Sequence, residues 1–131
     1  MITGLEHTAI ACSDPKALSS WYLKYLGFRL LLDTGKTIYI QSANGIVLEF
    51  VLADTHPPAP LIRDAGLRHL AFTADDLNRT RDELQSAGVE FMEEQFLPAM
   101  RLLFFRDPEG NFLHLVQREF PLFPQPLEIV R

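Results

Sequence analysis

The sequence predicts an α+β fold: two paired β-α-β-β-β modules forming curved mixed sheets around one cavity. Two observations predict it. The first is an internal repeat. Leu5-Glu6-His7-Thr8-Ala9 returns as Leu67-Arg68-His69-Leu70-Ala71, and Gly45-Ile46-Val47-Leu48-Glu49 returns as Gly110-Asn111-Phe112-Leu113-His114. The register stays between 61 and 65 residues: 62 for the histidines and for Asp14 on Asp76, 61 for Gly27 on Gly88, and 65 at the second pair. The second is the order of signals within each copy: an apolar strand, one capped amphipathic helix, then three strands separated by turn residues.

Residues 5–12 read as a buried strand. Asp14 followed by Pro15 starts a helix, because the carboxylate caps free N–H groups and proline lacks the N–H that would go unused there. Leu18, Trp21, Tyr22 and Tyr25 recur at i, i+3, i+4 and i+7, so 15–26 is an amphipathic helix stopped by Gly27. Strands follow at 28–33, 36–42 and 45–52, with Gly35 and Asn44-Gly45 at the tight turns. These make module 1, residues 4–52. Residues 53–66 contain His56-Pro57-Pro58-Ala59-Pro60 and read as a linker.

Module 2, residues 67–118, repeats the plan. A strand at 67–74 leads to an Asp75-Asp76 cap and a helix at 77–87, with Leu77, Thr80, Leu84 and Ala87 inward and Gly88 as its stop. Strands follow at 89–94, 100–106 and 111–118, the last entered through Asp107-Pro108-Glu109-Gly110. The tail 119–131 holds three prolines and many apolar residues. It is expected to pack either on a second subunit or on its own sheet edge.

A length of 131 residues suits a single domain, 1–131. The net charge of −5 comes without a basic stripe, which argues against nucleic acid as a partner. No run approaches the roughly 18–20 apolar residues of a membrane span, and no secretory leader pattern opens the chain. A lone cysteine, Cys12, excludes an internal disulfide framework and fits a reducing compartment, so a cytoplasmic location is expected. Cys12 is out of phase with His7 and should point away from it as a small buried hydrophobe.

Side chains alternate along a strand, so residues i and i+2 share a face. His7 shares its face with Ala9 and Ala11, and His69 with Ala71 and Thr73, which leaves space beside both imidazoles. Glu49 lies with Val47 and Val51, and His114 with Phe112 and Val116. Each module thus carries one polar candidate on its first strand and one on its last. If those strands are neighbours and the modules pair by pseudo-twofold symmetry, His7, Glu49, His69 and His114 face one concavity. Neutral imidazole and carboxylate suit one divalent transition metal, of the set Zn, Ni, Fe, Mn or Co. His56, in the linker, is expected to be solvated.

The residues then resemble a known family. The paired modules, each opening with Leu-x-His, are similar to the vicinal oxygen chelate superfamily, which includes glyoxalase I, epimerases, fosfomycin-resistance enzymes, extradiol dioxygenases and metal-free bleomycin-binding proteins. The stretch Phe105-Arg106-Asp107-Pro108-Glu109-Gly110-Asn111-Phe112-Leu113-His114-Leu115 resembles its closing motif, and Tyr22 through Gly27, within Trp21 to Phe28, its helix-to-strand signature. The resemblance covers residues 4–118. It implies metal binding by His7, Glu49, His69 and His114, and a homodimer. The chain departs from the pattern at His114, where most metal-binding members, glyoxalase I and the fosfomycin-resistance enzymes among them, have Glu. Glu49 is then the only carboxylate of the set.

Three functions follow. The first is a glyoxalase-like lyase, isomerase or epimerase acting on a small 2-oxo or hydroxy compound by metal-stabilised enolate chemistry, with Glu49 as catalytic base. The second is an Fe(II) extradiol-type dioxygenase. The third is a non-catalytic small-molecule binding or resistance protein, with Phe28, Tyr39, Phe50, Phe72, Phe91, Phe104, Phe105 and Phe112 as candidate lining. Arg101 and Arg106 are candidate anchors for an anionic substrate.

Overall fold

The structure is a computed structural model that describes residues 1–122. Its elements run β1 (Thr8–Cys12), α1 (Pro15–Tyr25), β2 (Arg29–Asp33), β3 (Thr37–Gln41), β4 (Val47–Leu52), β5 (His69–Thr73), α2 (Leu77–Ser86), β6 (Phe91–Leu97), β7 (Met100–Arg106) and β8 (Phe112–Arg118). The β-α-β-β-β order occurs twice. Each set of strands forms a four-stranded mixed sheet, β1-β4-β3-β2 and β5-β8-β7-β6, in the same order. In both, the first strand runs parallel to the fourth and the third and fourth are antiparallel. Even the irregularities match: the register slips between Leu30 and Leu32 in one sheet and between Phe91 and Glu94 in the other. The repeat read in the sequence is therefore a repeat of hydrogen-bond topology.

Chain contacts divide the molecule into two compact units. One is Met1–Arg63 with Asp107–Asn111; the other is Asp64–Arg106 with the chain from Phe112 on. In the first unit α1 packs on β3 and β4. Leu18 and Tyr22 of the helix, Ile38 and Ile40 of β3, and Leu48 and Phe50 of β4 are all buried. Alternation sends Tyr39 and Glu49 to the opposite face. In the second unit α2 contacts β8, and Leu77, Leu84, Leu103, Phe105, Leu113 and Leu115 form the core. Burying each such side chain contributes roughly 1.5–3 kcal/mol.

Both helices begin as their sequences require. Asp14 accepts from Ala17 N at 3.0 Å and Asp76 from Arg79 N at 3.1 Å. Both are followed by left-handed glycines, Gly27 at φ 73° and Gly88 at φ 93°. The Asp107–Asn111 turn is held by its own acid. Asp107 is buried and accepts from Tyr22 Oη (2.7 Å), Asn111 Nδ2 (2.8 Å) and the Glu109 and Asn111 amides (both 3.0 Å). Glu109 in turn accepts from the Ser13 and Asp14 amides at 2.6 and 3.1 Å, anchoring the turn at the start of α1. Burial beside Asp107 pushes the Tyr22 hydroxyl far above its ordinary range.

Several boundaries differ from the sequence reading. β1 begins at Thr8 and β5 at His69, because their partners β4 and β8 begin only after the Gly45 and Gly110 turns. Leu5 and Leu67 consequently precede the ladders and are exposed. Neither first strand is buried on both faces: Ala9, Ala11, His69, Ala71 and Thr73 are exposed. β6 runs on to Leu97, paired with Met100 across a tight turn in which Ala99 takes φ 59°. Ala87 lies past α2 and is exposed, whereas Leu77 and Leu84 are buried as expected. Three successive leucines on the edge strand β2, Leu30 to Leu32, are about half exposed, at 55%, 49% and 52%. Of the tail, Phe120 and Leu122 are exposed; residues 123–131 lie outside the described residues. No described helix is long and apolar enough to cross a membrane.

Candidate metal centre

The four sequence candidates occur as two pairs, one in each unit, at equivalent register. In the first unit Ala9 pairs with Glu49, and His7 lies two residues before Ala9 on the same face. In the second Ala71 pairs with His114, and His69 lies two residues before Ala71.

His7 Nε2 stands 3.6 Å from Glu49 Oε1, with side chains 32% and 14% exposed. That gap is too long for a hydrogen bond. Two donors about 2.1 Å from a common ion lie roughly 3.0–3.5 Å apart at tetrahedral or octahedral angles, so the gap needs a shift of only tenths of an ångström. The opposite ring atom, Nδ1, is 3.0 Å from Glu6 Oε1. When it donates there, Nε2 carries the lone pair that a metal needs, the arrangement typical of ligating histidines.

His69 and His114 lie with ring centroids 4.6 Å apart. His69 is exposed and His114 is buried. His114 Nδ1 faces its neighbour's carbonyl, Leu115 O, at 3.2 Å, which again leaves Nε2 as the lone-pair nitrogen. Burial pulls the pKa of His114 below its ordinary value, helped by His69 and Arg118 and opposed by the Leu115 carbonyl. The ring is therefore held neutral, the ligating form. Among the described residues, no three His, Cys, Asp or Glu side chains gather as a group that could hold a metal ion. Each unit offers a pair whose donor chemistry fits a divalent transition ion.

The remaining candidates separate. Arg101 is already engaged: Nε and Nη2 donate to Glu94 at 3.0 and 2.5 Å, and Nη2 to Asn78 at 2.8 Å. Arg106 is exposed, its guanidinium 4.8 Å over the Phe112 ring. His56 is exposed. Cys12 is buried with Sγ toward Val51 O at 3.6 Å, as expected from its phase. Burial and the acids Glu109, Asp107 and Asp14 push its thiol up to about 11.

Tyr39, which the sequence offers as pocket lining, makes a more specific contact. Tyr39 sits directly opposite Glu49 across β3 and β4, and its hydroxyl donates to Glu49 Oε2 at 2.5 Å. That bond to the carboxylate favours the neutral phenol and raises the pKa of Tyr39. Cross-strand register would have revealed the pairing, but register is not visible in a single strand's alternation.

The model of the Glyoxalase/Bleomycin resistance protein/Dioxygenase superfamily matches residues 4–115. The chain belongs to this superfamily. Among its relatives, the protein YwkD of Bacillus subtilis is 32% identical over 127 residues, covering 90% of this chain and 99% of that protein. Among solved structures, the glyoxalase family protein from Enterococcus faecalis is similar at 28% identity and TM-score 0.71, covering 87% of this chain and 97% of the other. TnmS3, an antibiotic binding protein from a Streptomyces species, is similar at 26% identity and TM-score 0.74, covering 90% and 98%. Superfamily membership fixes the fold and leaves the reaction to the site residues.

Proposed function

We propose that the chain is a divalent-metal-dependent lyase, isomerase or epimerase acting on a small 2-oxo or hydroxy compound, with His7, Glu49, His69 and His114 as metal ligands. The observation that carries this reading is the 3.6 Å approach of His7 Nε2 to Glu49 Oε1, matched at the same register by the His69–His114 pair. Zn, Ni, Fe, Mn or Co fits three imidazoles and one carboxylate. When bound, such an ion supplies Lewis-acid stabilisation of negative charge on a substrate oxygen.

The protein's own part is proton movement. Glu49 is the set's only carboxylate, so it is the group that can take a proton from the carbon next to a carbonyl. Its pair of electrons accepts the proton while the C–H electrons pass to the carbonyl; returning the proton at another position or face completes an isomerisation or epimerisation. His7, His69 and His114 are held by their other contacts and orient the site, while Glu49 moves the proton. In the Glu49→Gln variant, elemental analysis should still find metal while turnover of a 2-oxo or hydroxy substrate identified by screening falls at least a hundred-fold, the lower range for losing a general base. Undiminished turnover would remove Glu49 from the base role. Iron in the wild-type protein together with oxygen uptake would move the reading to a dioxygenase.

A second reading has its own support. The likeness to TnmS3 and the aromatic side chains beside the candidate ligands favour a non-catalytic binding protein. Tight binding of an aromatic small molecule by metal-free protein is its signature. In either case we propose a homodimer, since three half-exposed leucines on β2 leave an apolar edge that a second copy would cover. Light scattering should give twice the chain mass; a monomer at micromolar concentration would exclude it.

A further inference from the structure

The two units differ at the site in one coordinated way. Glu49 of the first corresponds to His114 of the second, and the residue facing each across the antiparallel pair is Tyr39 and Phe104 respectively. Both offsets are 65 residues. Where the candidate ligand is a carboxylate, its neighbour carries a hydroxyl. Where it is an imidazole, the neighbour is the same ring without one. Each ring also meets the first-strand histidine edge-on: Tyr39 and His7 at 5.8 Å and 84°, Phe104 and His69 at 5.5 Å and 85°. Phe104 further packs on His114 at 4.7 Å.

We propose that Tyr39 and Phe104 are equivalent positioning residues, each bracketing the two ligands of its unit, and that the Tyr39 hydroxyl holds Glu49 as a one-oxygen ligand. A carboxylate has two oxygens and turns freely about its last bond; an imidazole directs one lone pair along a fixed axis. The bond from Tyr39 occupies Oε2 at 2.5 Å and leaves Oε1 toward His7. His114 needs no such restraint, because its ring is fixed by packing and by Leu115 O. The edge-on contacts align the positive ring edge with the neighbour's face, a geometry favoured by the aromatic quadrupole. Tyr39 touches no reacting atom in this account. It acts through Glu49.

The inference rests on the metal reading above, and the experiment separates the two. Cobalt(II) is titrated into metal-free protein, following affinity and visible spectrum, for wild type, Tyr39→Phe, Glu49→His and the double variant. Melting of the metal-free proteins checks the fold. Tyr39→Phe should weaken cobalt binding roughly ten- to a hundred-fold, the usual effect of removing a ligand's hydrogen-bond partner, and should shift the visible bands. In the Glu49→His background, which copies the second unit, the same change should alter affinity less than about threefold, a non-additivity that purely structural damage does not produce. An unchanged affinity and spectrum in Tyr39→Phe, or equal losses in both backgrounds, would overturn the positioning role while leaving the metal site standing. Failure of Glu49→His to bind cobalt would overturn the equivalence of the two registers. A wild type that takes up no cobalt would remove the metal reading and this inference with it.

Discussion

His114 is 6% exposed, and its depressed pKa comes first from burial, then from His69 and Arg118. The sign of the consequence is fixed by the unfolded chain, where the imidazole titrates near about 6.5. Above that pH both states are neutral and His114 costs nothing. As pH falls through the unfolded value, the unfolded state takes up a proton that the folded state refuses, so stability is lost toward acid. Metal-free protein should therefore show a lower urea midpoint at pH 5.5 than at 7.5, and His114→Gln should flatten that slope relative to wild type. An equal slope in the variant would mean that other groups set the acid response. Asp107 shows the opposite solution to burial: four donors satisfy it, so a buried acid in a turn is tolerated without an ion partner.

At the scale of elements, the parts of the fold that were legible are those carried by local chemistry. Asp14-Pro15 and Asp76 declare helix starts, Gly27 and Gly88 declare stops, and the turn glycines bound the strands; all eight strands and both helices stand where these marks put them, within a few residues. What alternation could not give was the beginning of each ladder. β1 and β5 start only where a partner strand exists to pair with, so Leu5 and Leu67 look like core and are not. The length of β6 was likewise hidden, because it depends on Ala99 adopting a left-handed turn that residue type disfavours. For the site, alternation placed His7 with Ala9 and His114 with Phe112 on common faces. The Tyr39–Glu49 bond depends on antiparallel register between β3 and β4, which is set by the Ser42–Gly45 turn, and that is a relation between strands.

On the scale of the whole molecule, the proposed ligand set has a consequence that neither unit shows by itself. Two ligands alone hold a divalent transition ion weakly; four hold it tightly, and an ion bound only by the folded protein stabilises that state by RT ln(1 + [L]/Kd), about 2.7 kcal/mol at a hundred-fold excess over Kd. If the ion draws one pair from each unit, its stabilisation must vanish when either pair is removed. Adding zinc should raise the melting temperature of wild type by several degrees, the change expected from that energy in a chain of this size. The shift should be absent both in His7→Ala/Glu49→Ala and in His69→Ala/His114→Ala, with each variant's metal-free melting recorded as its own baseline. Should one double variant keep the full shift, the metal site would belong to a single unit, and the other pair would lie outside it. The two results separate a site assembled by the repeat from one that merely coexists with it.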